Sequence, residues 1–218
     1  MLNADSVKHV FLRSLAGSAR HEDPYRHWLL TDCLPDEVGR AIAALPIPVA
    51  RIADTRGKRE THNDSRVYFS VAGRAQYPVM EAVARAFQDP GMVAAIEDHC
   101  DTRLGGTSLR IEYCQDTDGF WLAPHTDIGV KKFTMLIYLS DDAGSESWGT
   151  DIYRDAGTHA GVAPFGFRKG MIFVPAGNTW HGFEKRPIHG VRKSIIVNYV
   201  GPQWRNRHEL AFPDQPVG

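Results

Sequence analysis

From Thr107 onward the chain changes its hydrophobic rhythm, and that change constrains the fold more than any other feature. Short runs rich in β-branched, aliphatic and aromatic residues recur between turn residues at 108–114, 133–140, 151–154, 171–174, 179–183 and 191–200. Short strands separated in this way specify a sandwich or a closed jelly roll. No internal repeat or low-complexity segment interrupts them. The stretches 141–148 and 156–170 read as loops, and the polar, Pro-containing tail after Gly201 is expected to drape over the surface.

The first half reads differently. Val7, Val10, Phe11 and Leu15 recur at helical spacing after an Asp5-Ser6 start, and 36–45 repeats the pattern with Val38, Ile42 and Leu45 before Pro46 and Pro48 end it. A further helical region opens at Pro78 with Met80, Val83, Ala84 and Phe87, breaks near Pro90-Gly91, and resumes through Val93 and Ile96. Between them, 67–71 reads as a strand before a turn at Gly73. The expectation is one domain over 1–218, with 1–106 a mostly helical support, 107–201 a β core and 202–218 a tail.

With 43% hydrophobic residues, the 218-residue chain can bury one sizeable core. Its formal net charge is −1, and Lys and Arg are mixed with Asp and Glu throughout, which argues against nucleic acid or an acidic membrane as partner. Cys33, Cys100 and Cys114 are odd in number and form no CxxC pair, so they read as reduced, buried thiols. The N-terminus has neither a basic leader nor an apolar core, and no apolar run approaches the length of a membrane span. A soluble, cytoplasmic protein is expected.

The chemistry-bearing residues lie in the second half. His125 and Asp127 stand two apart just before a β-type run, and His181 follows in Trp180-His181-Gly182-Phe183. Two imidazoles and one carboxylate on one face of iron leave three coordination positions open, as a non-haem Fe(II) oxygenase requires. His-x-Asp alone decides nothing, since His21/Asp23, His62/Asp64 and His99/Asp101 repeat it. Context separates the copies, because residues two apart share a direction only on extended backbone. His21 lies in a charged stretch ending at Pro24, His62 in a polar run, and His99 at the close of a helical pattern.

His125-Thr126-Asp127, the distal His181 and the run Gly190-Val191-Arg192-Lys193-Ser194 together resemble the signature of the Fe(II)/2-oxoglutarate-dependent dioxygenases. The likeness extends to 170–175 ahead of the distal His and to 134–139 after the proximal pair, and is greatest to the prolyl 4-hydroxylase-like branch. It covers roughly 109–199; the N-terminal half is similar only loosely, through 28–32 and the helix start at Pro35-Asp36-Glu37. The resemblance implies a mainly β fold with supporting helices, the double-stranded β-helix, a distorted, cupin-like jelly roll. It also implies Fe(II), 2-oxoglutarate and O2 as reactants, succinate and CO2 as products, and ascorbate as a candidate reductant.

Under that resemblance Arg192 takes the C5 carboxylate of the cosubstrate, because a guanidinium fork matches a carboxylate bidentately. Ser194 shares the parity of Arg192 and supplies a second hydrogen bond. Tyr138 corresponds to a position where relatives bring a phenol to the same carboxylate, and Tyr113 is a further candidate of that kind. Asp127 favours hydroxylation, or demethylation by way of it, over halogenation, since the related halogenases lack the carboxylate ligand. The substrate stays open among small molecules, amino acids and peptidyl residues, with Arg66, Tyr68 and Trp121 as candidate lining groups. Relatives that demethylate nucleic acid usually carry a second Arg six residues after the first, and here that position is Asn198. The alternative from another class is a cupin-like module that holds a metal or sugar without turnover; it has no need of Arg192 and Ser194.

Overall fold

The computed structural model describes residues 3–61 and 63–218. Among the described residues five helices, α1 (Ala4–Ala16), α2 (Asp36–Ala43), α3 (Val71–Gln76), α4 (Pro78–Gln88) and α5 (Pro90–Cys100), accompany eleven strands. The strands are β1 (Ala19–His21), β2 (His27–Leu30), β3 (Arg66–Tyr68), β4 (Ser108–Asp116), β5 (Leu122–His125), β6 (Lys131–Tyr138), β7 (Asp151–Tyr153), β8 (His159–Val162), β9 (Gly170–Phe173), β10 (His181–Phe183) and β11 (Arg192–Val200). They form a seven-stranded sheet, β1-β2-β9-β6-β11-β4-β3, and a four-stranded one, β5-β10-β7-β8. All pairings are antiparallel, and the two sheets make the double-stranded β-helix.

Local chemistry sets the helix ends. The Asn3 side chain accepts from Ser6 N and caps α1, while Asp89 accepts from Met92 N with Pro90 in the first turn of α5. The apolar faces of α1 and α4, including Val7, Phe11, Val83 and Phe87, pack on one face of the large sheet through Leu109, Ile111, Phe133, Met135, Ile195 and Val197. The opposite face turns toward the small sheet and a second apolar cluster that includes Phe120, Phe165, Phe173 and Phe183.

Four local expectations are corrected. The run at 67–71 stops being a strand at Tyr68, because the Ser70 hydroxyl accepts from Gly73 N and caps α3, so Val71 and Gly73 are helical. The stretch 156–170 contains β8, an edge strand whose residues are almost all exposed and therefore carry no hydrophobic alternation. Besides the expected strand at β3, the first half contributes β1 and β2 to the large sheet; β1 is exposed throughout and only three residues long. The tail does not drape: Leu210, Ala211, Phe212 and Val217 are buried, and Ala211 N and Val217 N donate to the carbonyls of Leu109 and Thr107.

Candidate metal centre and cosubstrate pocket

His125 ends β5 and His181 begins β10, and the antiparallel register sets them directly opposite each other with ring centroids 4.4 Å apart. Gly182 permits that approach, since a Cβ there would stand 2.9 Å from the Leu122 carbonyl oxygen. Asp127 lies just past the end of β5, in the turn toward β6. Its carboxylate and the two imidazoles bring one ligand atom each to within 4.8 Å of one another.

The ring Nδ1 of His125 donates to the Ala123 carbonyl (2.8 Å) and that of His181 to the Thr179 carbonyl (3.0 Å). A carbonyl only accepts, so both protons sit on Nδ1 and both Nε2 lone pairs are free for a metal. Burial pushes the His181 imidazole down to about 4, outweighing the opposing pull of Asp127, and so keeps it neutral. Burial raises the Asp127 carboxyl, but Lys131, His181 and the Thr134 hydrogen bond outweigh it and hold the group at about 2. Lys131 Nζ reaches Oδ1 at 2.6 Å and Thr134 Oγ1 donates to Oδ2 at 2.6 Å. Thr134 Oγ1 in turn accepts from Asn198 Nδ2 (2.9 Å), and Asn198 Oδ1 accepts from Arg110 (3.3 Å).

The side chains of His125, Asp127 and His181 line a cavity of about 450 Å³ that also reaches Arg192, Thr150 and Phe183. Arg192 is 2% exposed and lies across the ladder from Asp116. Its Nη1 donates to Asp116 Oδ2 (2.7 Å), its Nε to the Trp148 carbonyl (2.7 Å), and its guanidinium stacks 4.7 Å above the Phe183 ring. Arg59 holds the other oxygen of Asp116 at 2.9 Å. Two guanidiniums thus share one fully buried carboxylate, which leaves one positive charge over in a region of low dielectric. Beside them the buried Ser194 hydroxyl has no hydrogen-bond partner among the described residues. A surplus cation next to an unused hydroxyl fits the carboxylate of a dicarboxylic cosubstrate.

The two tyrosines part company. Tyr138 is fully buried with its ring 5.8 Å from the Arg192 guanidinium, and its hydroxyl donates to Thr150 Oγ1 (2.9 Å). Tyr113 faces the other way, into the helix-packed core, because its place on β4 has the parity of Leu109 and Ile111. It is corrected out of the pocket.

Of the other His-x-Asp copies, His21 does sit on a strand, but it stacks on His27, and Asp23 pairs with Arg154 at the surface. His99 contacts Ser18, Asp101 ends α5 in the left-handed region, and His62 lies outside the described residues. A second group, Asp151, His159 and Glu184, is closed off because Arg186 already pairs with the buried Asp151. Among the candidate lining groups Arg66 faces the cavity, Tyr68 stacks beside it, and Trp121 is a strut whose indole N–H donates to Asp54. Sequence reasoning missed Arg59, Asp116, Lys131 and Thr134. Only the i to i+4 spacing of Asp127 and Lys131 carried a signal; the others depend on register.

No protein-family model matches the sequence, and no curated protein does. Solved structures do match. A prolyl 4-hydroxylase from Phytophthora capsici aligns over 93% of this chain and 67% of its own, at TM-score 0.60 and 13% identity. The prolyl hydroxylase from Trichoplax adhaerens, in complex with a hypoxia inducible factor peptide fragment, covers 89% of each chain at TM-score 0.57 and 11% identity. The fold is that of the prolyl 4-hydroxylases. HygX from Streptomyces hygroscopicus, with nickel and 2-oxoglutarate bound, shares it over 82% of this chain and 84% of its own, at TM-score 0.51 and 14% identity. At such identities the prolyl 4-hydroxylase likeness is one of fold, and function is argued from the site.

Proposed function

We propose that the protein is an Fe(II)- and 2-oxoglutarate-dependent oxygenase that hydroxylates an unactivated C–H bond of a small molecule, an amino acid or a peptidyl residue. The observation that carries this reading is the convergence of His125, Asp127 and His181 in the same cavity as the buried Arg192. Ferrous iron and 2-oxoglutarate, when bound, supply the oxidising power from O2, with release of succinate and CO2; ascorbate is a candidate reductant. The chain supplies three ligands from one side, two of them fixed in tautomer by backbone carbonyls. Arg192, Ser194 and, through its ring, Tyr138 form the cosubstrate end. The peptide on the Trichoplax relative supports the peptidyl option, and the cosubstrate on HygX supports the cofactor assignment.

Two other readings are weaker. A cupin-like binding module gains nothing from a buried, surplus guanidinium charge. Nucleic-acid demethylation lacks its second Arg, since Asn198 is buried and spent on Thr134 and Arg110. Among the described residues no helix is long and apolar enough to cross a membrane.

The test is anaerobic addition of Fe(II) and then 2-oxoglutarate, with a visible charge-transfer band expected. Asp127→Ala should abolish the band and succinate formation, while Asp101→Ala leaves both intact. The reverse outcome moves the metal site to the other copy, and no band with no calorimetric cosubstrate binding favours the module.

A further inference from the structure

On the face of the large sheet that looks toward the small one, a cross-strand row of polar side chains ends on a ligand of the proposed metal centre. Antiparallel register sets Arg110 of β4 opposite Asn198 of β11, and Asn198 opposite Thr134 of β6. All three are buried. Arg110 and Thr134 line the cavity, whereas Asn198 is not among the described residues that do, so it acts on the cavity only through a neighbour.

The row has a fixed direction of donation. A guanidinium only donates, and that of Arg110 is held in place from several sides. Its Nη1 and Nη2 bind the Glu112 carboxylate at 2.9 and 3.2 Å, its Nε binds Glu209 at 2.6 Å, and the rings of Tyr68 and Trp204 each lie 4.9 Å away. Nη1 also donates to Asn198 Oδ1 (3.3 Å), and Asn198 Nδ2 donates to the Phe133 carbonyl (3.3 Å) and to Thr134 Oγ1 (2.9 Å). Turning the amide over would set its NH2 group against Arg110 and its oxygen against that carbonyl, donor to donor and acceptor to acceptor. With Oγ1 already accepting from Asn198, the Thr134 proton goes to Asp127 Oδ2, 2.6 Å away. The other oxygen of Asp127 is met by Lys131, whose side chain is partly exposed.

Resting on the metal-centre reading, we propose that Asn198 is a positioning residue for the metal. By passing the donor direction of Arg110 to Thr134, it pins Asp127 Oδ2 in a hydrogen bond and leaves one oxygen of that carboxylate to serve as ligand. The carboxylate is thereby oriented before a metal arrives, and the cost of ordering it is already met in folding.

The test is calorimetric titration of the protein with Ni(II), with urea unfolding run beside it on each variant. Asn198→Asp keeps the size and the contact to Arg110, which holds the new carboxylate ionised, but it replaces the donor facing Thr134 by an acceptor. The Thr134 proton is then drawn away from Asp127, and the Ni(II) Kd should rise about tenfold. Asn198→Leu removes the donor without reversing it and should raise the Kd about threefold. A merely structural Asn198 predicts the opposite order, because Asn198→Asp keeps the Arg110 bond that Asn198→Leu loses. In Thr134→Val protein, where the link is already cut, either change at Asn198 should move the Kd by less than about twofold. Unchanged affinity in both variants overturns the proposal, as does a larger loss for Asn198→Leu or an undiminished effect in the Thr134→Val background. Should Asn198→Asp fail to fold, Asn198→Leu with and without Thr134→Val decides by the same comparison. Wild-type protein that binds no Ni(II) sinks the metal centre and this proposal together, whereas wild-type binding with indifferent Asn198 variants sinks this proposal alone.

Discussion

The two faces of the central strands are built from alternate residues of the same segments, one wholly apolar and the other mixing ions and polar groups with a smaller apolar cluster. Toward the helices, β4, β6 and β11 present Leu109, Ile111, Tyr113, Phe133, Met135, Ile137, Ile195, Val197 and Tyr199. Toward the small sheet they present Arg110, Glu112, Asp116, Thr134, Tyr138, Arg192, Ser194 and Asn198, every one of them buried, set among the apolar Cys114, Leu136 and Ile196. Burying ions is costly unless each is paired and hydrogen-bonded, so the second face is no gain to stability over a hydrophobic one. The first face supplies the larger apolar core, and the second carries the residues of the proposed site.

That division predicts separable losses. The largest effect on binding is expected for Arg192→Ala, which should weaken 2-oxoglutarate by about 2–5 kcal/mol in calorimetry while iron affinity changes little. An unchanged cosubstrate Kd would remove Arg192 from its role. On the helix side, Ile111→Ala should cost about 2–5 kcal/mol in urea unfolding through the cavity it leaves, yet the folded variant should bind 2-oxoglutarate normally. A large cosubstrate defect there would mean that the faces are coupled.

Thr134→Val probes the junction between them. It removes the hydroxyl from Asp127 Oδ2 at near-constant volume, and metal affinity should fall about 10- to 100-fold while the cosubstrate contacts near Arg192 persist.

The smallest and most graded effect is that of pH on the metal-free protein. His181 is held at about 4 by burial, whereas the unfolded chain takes up that proton near 6.5. Between those values the unfolded state binds more protons, so stability falls as the pH falls through the window. Glu112 is raised by burial, but Arg110 and Arg66 outweigh it and hold it at about 2, like Asp127. Their stabilisation is present above the ordinary carboxylate value and is lost as the pH falls from about 4 toward 2. Thermal melts from about pH 7.5 to about pH 2 should show both declines, and Ile111→Ala should lower the whole profile without changing its shape. A flat profile would contradict the polar face described here.

Legibility tracked the physics of each segment. Helices α1, α4 and α5 were readable because apolar residues at helical spacing were bounded by caps and prolines. Strands β4, β6, β9 and β11 were readable as buried runs, whereas β1 and β8 bury too little for any alternation to show. The tail misled because its buried residues are dispersed among prolines and polar groups.

The sequence by itself marked His125, Asp127 and His181 as candidate ligands and specified a β core able to bring them together, because both follow from side-chain chemistry and short-range periodicity. Only the tertiary structure decided that Arg192 shares Asp116 with Arg59, that Tyr113 turns away from the pocket, and that Trp204 joins its wall. Those facts depend on strand register and on contacts between residues tens of positions apart. A shift of one residue in register sends a side chain to the opposite face, and no local pattern records which register forms.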